Sequence, residues 1–197
     1  MYDWKNLNVT ERKEIQLYRK KAKIPWHSPP HYDVSHNTYL LTAANYQHQV
    51  VIGTTLDRMA SFEKSLLEVM NKHAKIIYAW SVLPNHYHAL VETEDLAYTI
   101  YGLGQMHGRT SRAWNLEDKT PGRKCWYRCL DRAIWTEKQL YTAVNYVHYN
   151  LIKHGYVDKM HEWTFTSAED FLNNHGRDRA IQLWKDYPID EFIKGGD

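Results

Sequence analysis

Hydrophobic and polar positions along this chain follow two periods. Residues 57–74, "DRMASFEKSLLEVMNKHA", put Met59, Phe62, Leu66, Leu67, Val69 and Met70 at helical spacing. "TYLLTAANY" (38–46) and "KIIYAWSVLP" read as strands, the second closed by Pro84, and "HYHALVE" reads as its neighbour across a tight Pro84-Asn85 turn. "LAYTIYGLGQMHGRTSRAW" reads as a second helix, weakened by Gly102, Gly104 and Gly108, and "KCWYRCLDRAI" as a fourth strand. The clearest element comes next. Thr136 suits an N-cap with Gln139 three residues on, Leu140, Val144, Val147 and Leu151 line one face, and Gly155 suits a stop. The order β-α-β-β-α-β predicts an α+β fold: a ferredoxin-like (split βαβ) antiparallel sheet with helices on one face, then one more helix. That sheet hosts many functions and selects none.

Two segments flank this plan. "IPWHSPPH" (24–31) is a proline-punctuated break that sets off a basic N-terminal extension, residues 1–31. The main domain is expected over 32–158, and residues 159–197 read as an appended C-terminal segment. With 197 residues, 43% of them hydrophobic, the chain can build one domain core. No apolar run approaches the ~20 residues needed to cross a bilayer, and the N-terminus lacks an apolar signal core. A cytoplasmic protein with no membrane partner is expected. Cys125 and Cys129, read as strand residues, would have Cα atoms ~13 Å apart, too far for a disulfide.

The net charge of +2 points to no partner, but its distribution does. Residues 11–23 hold six basic side chains against two acidic ones, a candidate basic helix. Residues 108–132 hold seven against three, interleaved with Trp114, Trp126 and Tyr127. Cations that meet phosphates and rings that stack on bases make such a strip a candidate nucleic-acid surface. A solvated charged face is the simpler alternative from composition alone.

The chemistry concentrates in "WSVLPNHYHALVE" (80–92). On a strand His86 and His88 project to one face while Tyr87 points to the other, so the two imidazoles can share a divalent ion. A metal site needs a third ligand, and catalysis an open position. The capped helix offers candidates. Tyr146 and Asn150 are four apart and stack on one face, yet Tyr141 and Asn145 have the same spacing on the opposite edge, and His148 and Tyr149 add further options. Helical geometry does not choose among them.

"LPNHYHALV" followed some sixty residues later by "NYVHYNLIKHGYV" resembles the IS200-type Y1 transposases of the HUH endonuclease superfamily, and in particular their REP-associated tyrosine transposase relatives. The resemblance spans about residues 38–158 and makes 32–158 a candidate catalytic domain. "WYRCLDRAI" and "EWTFTSAEDFL" resemble the family's segments on either side of the tyrosine helix. The residues that match its second motif are Tyr146, Val147, Asn150, Leu151, Ile152, Lys153, Gly155, Tyr156 and Val157, with Leu151 in place of the family's proline. The helix is therefore expected to run on smoothly where relatives bend.

The resemblance implies Tyr146 as nucleophile, with His86, His88 and Asn150 as ligands of Mg²⁺ or Mn²⁺. It implies single-stranded or hairpin DNA as partner, a 5′-phosphotyrosine intermediate with a free 3′-hydroxyl, and rejoining by reversal. Arg109, Arg112, Arg123 and Arg128 are candidates for phosphate contacts. Relatives of this kind are monomers or homodimers, and either is expected here. A domesticated, non-catalytic DNA-hairpin binder is the alternative reading. A zinc deaminase is disfavoured, since no C-x-x-C follows the histidines.

Overall fold

A computed structural model describes residues 37–189. The basic segment 11–23 and the proline break at 24–31 lie outside the described residues.

Four strands, β1 (Thr38–Ala44), β2 (Ile76–Val82), β3 (His86–Glu92) and β4 (Leu130–Ala133), form one antiparallel sheet in the order β2-β3-β1-β4. This is the split βαβ arrangement expected from the element order. Helix α1 (Leu56–His73) joins β1 to β2, and α2 (Leu96–Glu117) joins β3 to β4. Each has its own N-cap: Thr55 accepts from the Arg58 N–H and Asp95 from the Tyr98 N–H.

The period-2 pattern sorts the sheet's side chains onto two faces. Tyr39, Leu41 and Ala43 of β1 and Tyr87, Ala89 and Val91 of β3 pack with Phe62 and Leu66 of α1 and with Leu103, Met106 and Trp114 of α2. Leu40 and Leu90 point the other way, into a second core with Val144, Tyr146 and Val147. Those three belong to α3 (Glu137–Lys153). The sheet is therefore covered on both faces: the two crossover helices lie on one, and the tyrosine-bearing helix on the other.

Both ends of α3 follow the sequence signals. Thr136 Oγ1 accepts from the Gln139 N–H. The Gln139 side chain caps the Trp135 N–H at 2.7 Å, one residue beyond its expected partner. At the other end Gly155 takes φ +71°, its N–H donates to the Ile152 carbonyl, and the Tyr156 N–H donates to that of Leu151. This is a Schellman stop, which needs the left-handed backbone that glycine adopts without strain. Leu151 is buried in the last turn of the helix, and α3 runs three residues past Asn150 to Lys153.

Two expectations need correction. The fourth strand begins only at Leu130, not at Lys124. Cys125 and Trp126 are adjacent yet both enter the core on the α1 and α2 side, whereas a strand sends neighbours to opposite faces, so they do not continue the ladder. A single bridge, Asn45 to Trp126, ties them to the end of β1. Both cysteines are free.

The segment after 158 is also more than an appendage. The Val82 N–H donates to the Phe165 carbonyl and the Ser167 N–H to that of Trp80, which borders β2 with a further piece of chain. Helices α4 (Ala168–His175) and α5 (Arg177–Asp186) then complete the second core through Phe171, Leu172, Ala180 and Leu183. No helix among the described residues is long and apolar enough to cross a membrane.

Candidate metal centre and tyrosine site

Alternation along β3 sends His86 and His88 to the α3 side, while Tyr87 enters the opposite core. There the rings lie 5.1 Å apart, nearly perpendicular. Facing them across the second core is Asn150, only 1% exposed. Its Nδ2 is 3.0 Å from His88 Nε2, and its Oδ1 is 3.4 Å from His86 Nε2. One turn earlier on α3, the Tyr146 ring meets the His88 ring edge-on at 5.2 Å. The structure thus brings together His86, His88, Asn150 and Tyr146 and leaves Tyr141 and Asn145 elsewhere.

The outer partners decide which ring nitrogen faces the centre. The Asn85 amide is oriented by its Nδ2, which donates to the His48 carbonyl at 3.0 Å. Its Oδ1 must then accept from His86 Nδ1, 2.7 Å away. By the same logic His88 Nε2 accepts from Asn150, so its Nδ1–H donates to Thr42 Oγ1 at 2.7 Å. In its neutral form each ring then presents an Nε2 lone pair toward the Asn150 amide. Two imidazole nitrogens and an amide oxygen with their outer partners in place form a donor set that fits a divalent ion.

Every member of this set is neutral. Among the described residues no three His, Cys, Asp or Glu side chains gather into a metal-binding group. An ion held here would keep its full +2 charge, which suits an anionic ligand better than a carboxylate cage does. Lys153 Nζ, 6.0 Å from the centre of the Tyr146 ring, and the His154 ring, 5.1 Å from that of His86, border the same centre.

Sequence reasoning missed Thr42, Asn85 and His154, and named Lys153 only as a motif match without a role. Asn85 carried a signal as the turn residue directly before His86, but Thr42 became visible only through its pairing with His88 across β1 and β3.

The arginines divide. Arg109 and Arg112 are exposed on α2, the layer on the far side of the sheet from the histidines. Arg128 is exposed in the irregular run before β4. Arg123 is committed to internal structure: its Nη2 pairs with Asp118 at 2.7 Å and its Nε donates to Asn115 at 3.0 Å. Buried Arg58 shares that carboxylate at 2.6 Å and also reaches Glu117. The Arg58 hydrogen bond, with Arg123 beside it, holds the Asp118 carboxyl down to about 2. The strip read as one basic surface is thus three separate places.

Two other histidines near this geometry belong to the core. His107, stacked on Trp126 at 4.3 Å and 3.2 Å from the Tyr87 hydroxyl, is pushed down to about 4 by burial. His148, wholly buried on α3 with Nε2 3.0 Å from Ser167 Oγ, is pushed down to about 3 for the same reason. Both are neutral rings at pH 7.

A strained loop adjoins the site. Gln47 and His48 hold φ of +55° and +53°, left-handed values that cost a non-glycine residue on the order of 1 kcal/mol each. Buried Asn45 braces the loop, donating to the Cys125 carbonyl and accepting from the Ile52 N–H. Gly53 lets it lie against the Pro84 turn, where a Cβ would overlap the proline ring.

No protein-family model matches this sequence, and no curated protein matches it either. In structure, the chain is similar to a REP-associated tyrosine transposase solved bound to a REP hairpin. The match has a TM-score of 0.59 at 20% sequence identity and covers 83% of this chain and 89% of that one. At that identity the likeness is one of fold.

Proposed function

We propose that this chain is a metal-dependent endonuclease and strand-transferase acting on single-stranded DNA beside a hairpin, with Tyr146 as nucleophile. The observation that carries the reading is the convergence of His86, His88 and Asn150 one helical turn from Tyr146. The fold shared with a hairpin-bound tyrosine transposase supports the class of substrate.

A phenol is a weak nucleophile near neutral pH, its ordinary pKa being ~10, so the target has to be activated. Mg²⁺ or Mn²⁺ held by His86, His88 and Asn150 would supply that activation by polarising the scissile phosphate. The protein's part is alignment. Thr42 and Asn85 hold the two imidazoles so that both Nε2 atoms face inward, and α3 fixes Tyr146 beside His88. Tyr146 Oη forms the bond to phosphorus as the bond to the 3′ oxygen breaks, and the phenolic proton ends on the released 3′-hydroxyl. The products are a 5′-phosphotyrosine and a free 3′ end. The covalent link conserves the energy of the phosphodiester, so attack by a 3′-hydroxyl reverses the step without ATP.

The test is a denaturing gel for a protein–DNA adduct. It uses hairpin oligonucleotides with single-stranded flanks from the gene's own surroundings, in Mn²⁺ or EDTA, with the native chain and Tyr146→Phe. A metal-dependent adduct absent from the variant is expected. An adduct that persists in Tyr146→Phe overturns the assignment of the nucleophile. Hairpin binding with no adduct replaces the enzyme with a DNA-hairpin-binding protein.

A further inference from the structure

Outside the candidate metal centre, three rings and a cation gather on the surface at the same end of the sheet. Tyr46 and Tyr127 lie 5.1 Å apart, and the His48 ring is 6.1 Å from Tyr127. Lys124 Nζ sits 4.3 Å from the centre of the Tyr46 ring and 5.7 Å from that of Tyr127. These groups are not core. Tyr127 is 40% exposed, and Lys124 and His48 are exposed as well.

The cluster is held rigidly. The Tyr46 N–H donates to the Cys125 carbonyl at 2.8 Å and the Tyr127 N–H to that of Ala44 at 2.9 Å, which fixes the two tyrosines on facing segments. It is also joined to the candidate centre by one residue. Asn85 donates to the His48 carbonyl and accepts from His86 Nδ1.

We infer that Tyr127, backed by Tyr46 and Lys124, is a stacking platform for one unpaired nucleobase of a DNA strand that reaches the metal centre. The inference rests on the DNA-cleaving reading above. The occupant follows from the chemistry: a phenol ring 40% exposed suits a π surface, and the ammonium beside it suits the phosphate attached to that base. A paired base presents no free face, so the platform selects single strands. Arg128, exposed and adjacent to Tyr127 in the chain, supplies a second cation for the backbone.

The experiment measures binding by fluorescence anisotropy, using labelled dT12 and a 12-base-pair blunt duplex. It is run on full-length Tyr146→Phe protein in EDTA, so neither cleavage nor metal affects the reading. Tyr127→Ala in this background is expected to weaken dT12 binding by about 5- to 100-fold, with duplex binding unchanged. Tyr127→Phe, which keeps the ring, is expected to restore it. Lys124→Ala is expected to weaken dT12 binding and reduce the steepness of its salt dependence by about one ion. Tyr127 is exposed, and melting curves establish that each variant is folded. Unchanged dT12 affinity in Tyr127→Ala, an equal loss on duplex, or no dT12 binding by the parent protein each overturns the platform. No adduct from the native chain in the gel assay, with an intact Tyr127 effect here, overturns the nuclease instead.

Discussion

Helix α3 carries two tyrosine–asparagine pairs at the same spacing, and they have opposite fates. Tyr146 and Asn150 face the sheet, where Asn150 meets the two histidine Nε2 atoms and Tyr146 meets the His88 ring. Tyr141 and Asn145 face α5. Asn145 Nδ2 donates to the carbonyls of Trp184 at 2.7 Å and Tyr187 at 2.8 Å, and Tyr141 stacks on Tyr187 at 5.1 Å. In one pair the asparagine amide meets the two histidines. In the other it closes the end of a neighbouring helix. What separates them is the partner each face meets, since residue type and spacing are identical.

The most decisive way to break that comparison is to delete one hydroxyl from each pair. Tyr146→Phe is expected to abolish the covalent DNA adduct, while Tyr141→Phe keeps it near the native level. The gel assay reads both, and the reverse pattern would falsify the assignment.

The outer partners offer a subtler disturbance. Thr42→Val removes the acceptor for His88 Nδ1 but keeps the shape of the side chain. A 10- to 100-fold loss of Mn²⁺ affinity is expected, read by metal titration in a calorimeter, with the melting temperature little changed. Equal affinity would mean that His88 needs no positioning from β1.

On stability the pairs should exchange rank. Asn145→Ala strands two helix-end carbonyls and is expected to cost about 1–3 kcal/mol in urea unfolding. Asn150→Ala should cost less, because its contacts serve the centre and not a helix end. A larger loss for Asn150 would recast it as a core residue.

A last prediction concerns pH and buried His148 of α3. Burial keeps His148 and His107 neutral in the folded state, with pKa about 3 and about 4, whereas an unfolded histidine titrates near ~6.5. The unfolded chain therefore binds the extra proton. Stability is complete above about pH 6.5 and falls on acidification by up to ~1.4 kcal/mol per pH unit for each ring. The fall stops near 4 for His107 and near 3 for His148. His148→Gln should flatten the stability–pH slope between pH 6 and 4. Asp118 acts lower still: its contribution is present above the ordinary carboxylate pKa of ~3.9 and is lost as pH falls toward about 2.

Periodicity and end signals were enough for most of the fold. The α1 stripe, the alternation along β1 and β3, and both ends of α3 are local features of residue type, so the element order and the ferredoxin-like sheet follow from them. The residues before β4 misled because the aromatic, β-prone run 124–129 sends two neighbours into the same core. Only the surrounding rings of Phe62 and His107 show why. Arg123 misled likewise, since no local pattern records that Asp118 and Asn115 hold it.

For the site, the sequence by itself determined that His86 and His88 share a face, because a strand has period two. It also determined that Tyr146 and Asn150 share one, because a helix brings residues four apart together. Spacing did not choose which tyrosine–asparagine pair meets the histidines; the motif resemblance implied Tyr146 and Asn150, and the physical reason lies in the tertiary structure, through the packing of α3 on the sheet and of α5 on the other side of α3. Thr42, Asn85 and the Tyr46–Lys124–Tyr127 cluster belong to the same class. Their partners are distant in the chain or set by the fold of a loop, and spacing along a sequence carries no record of what a face will meet.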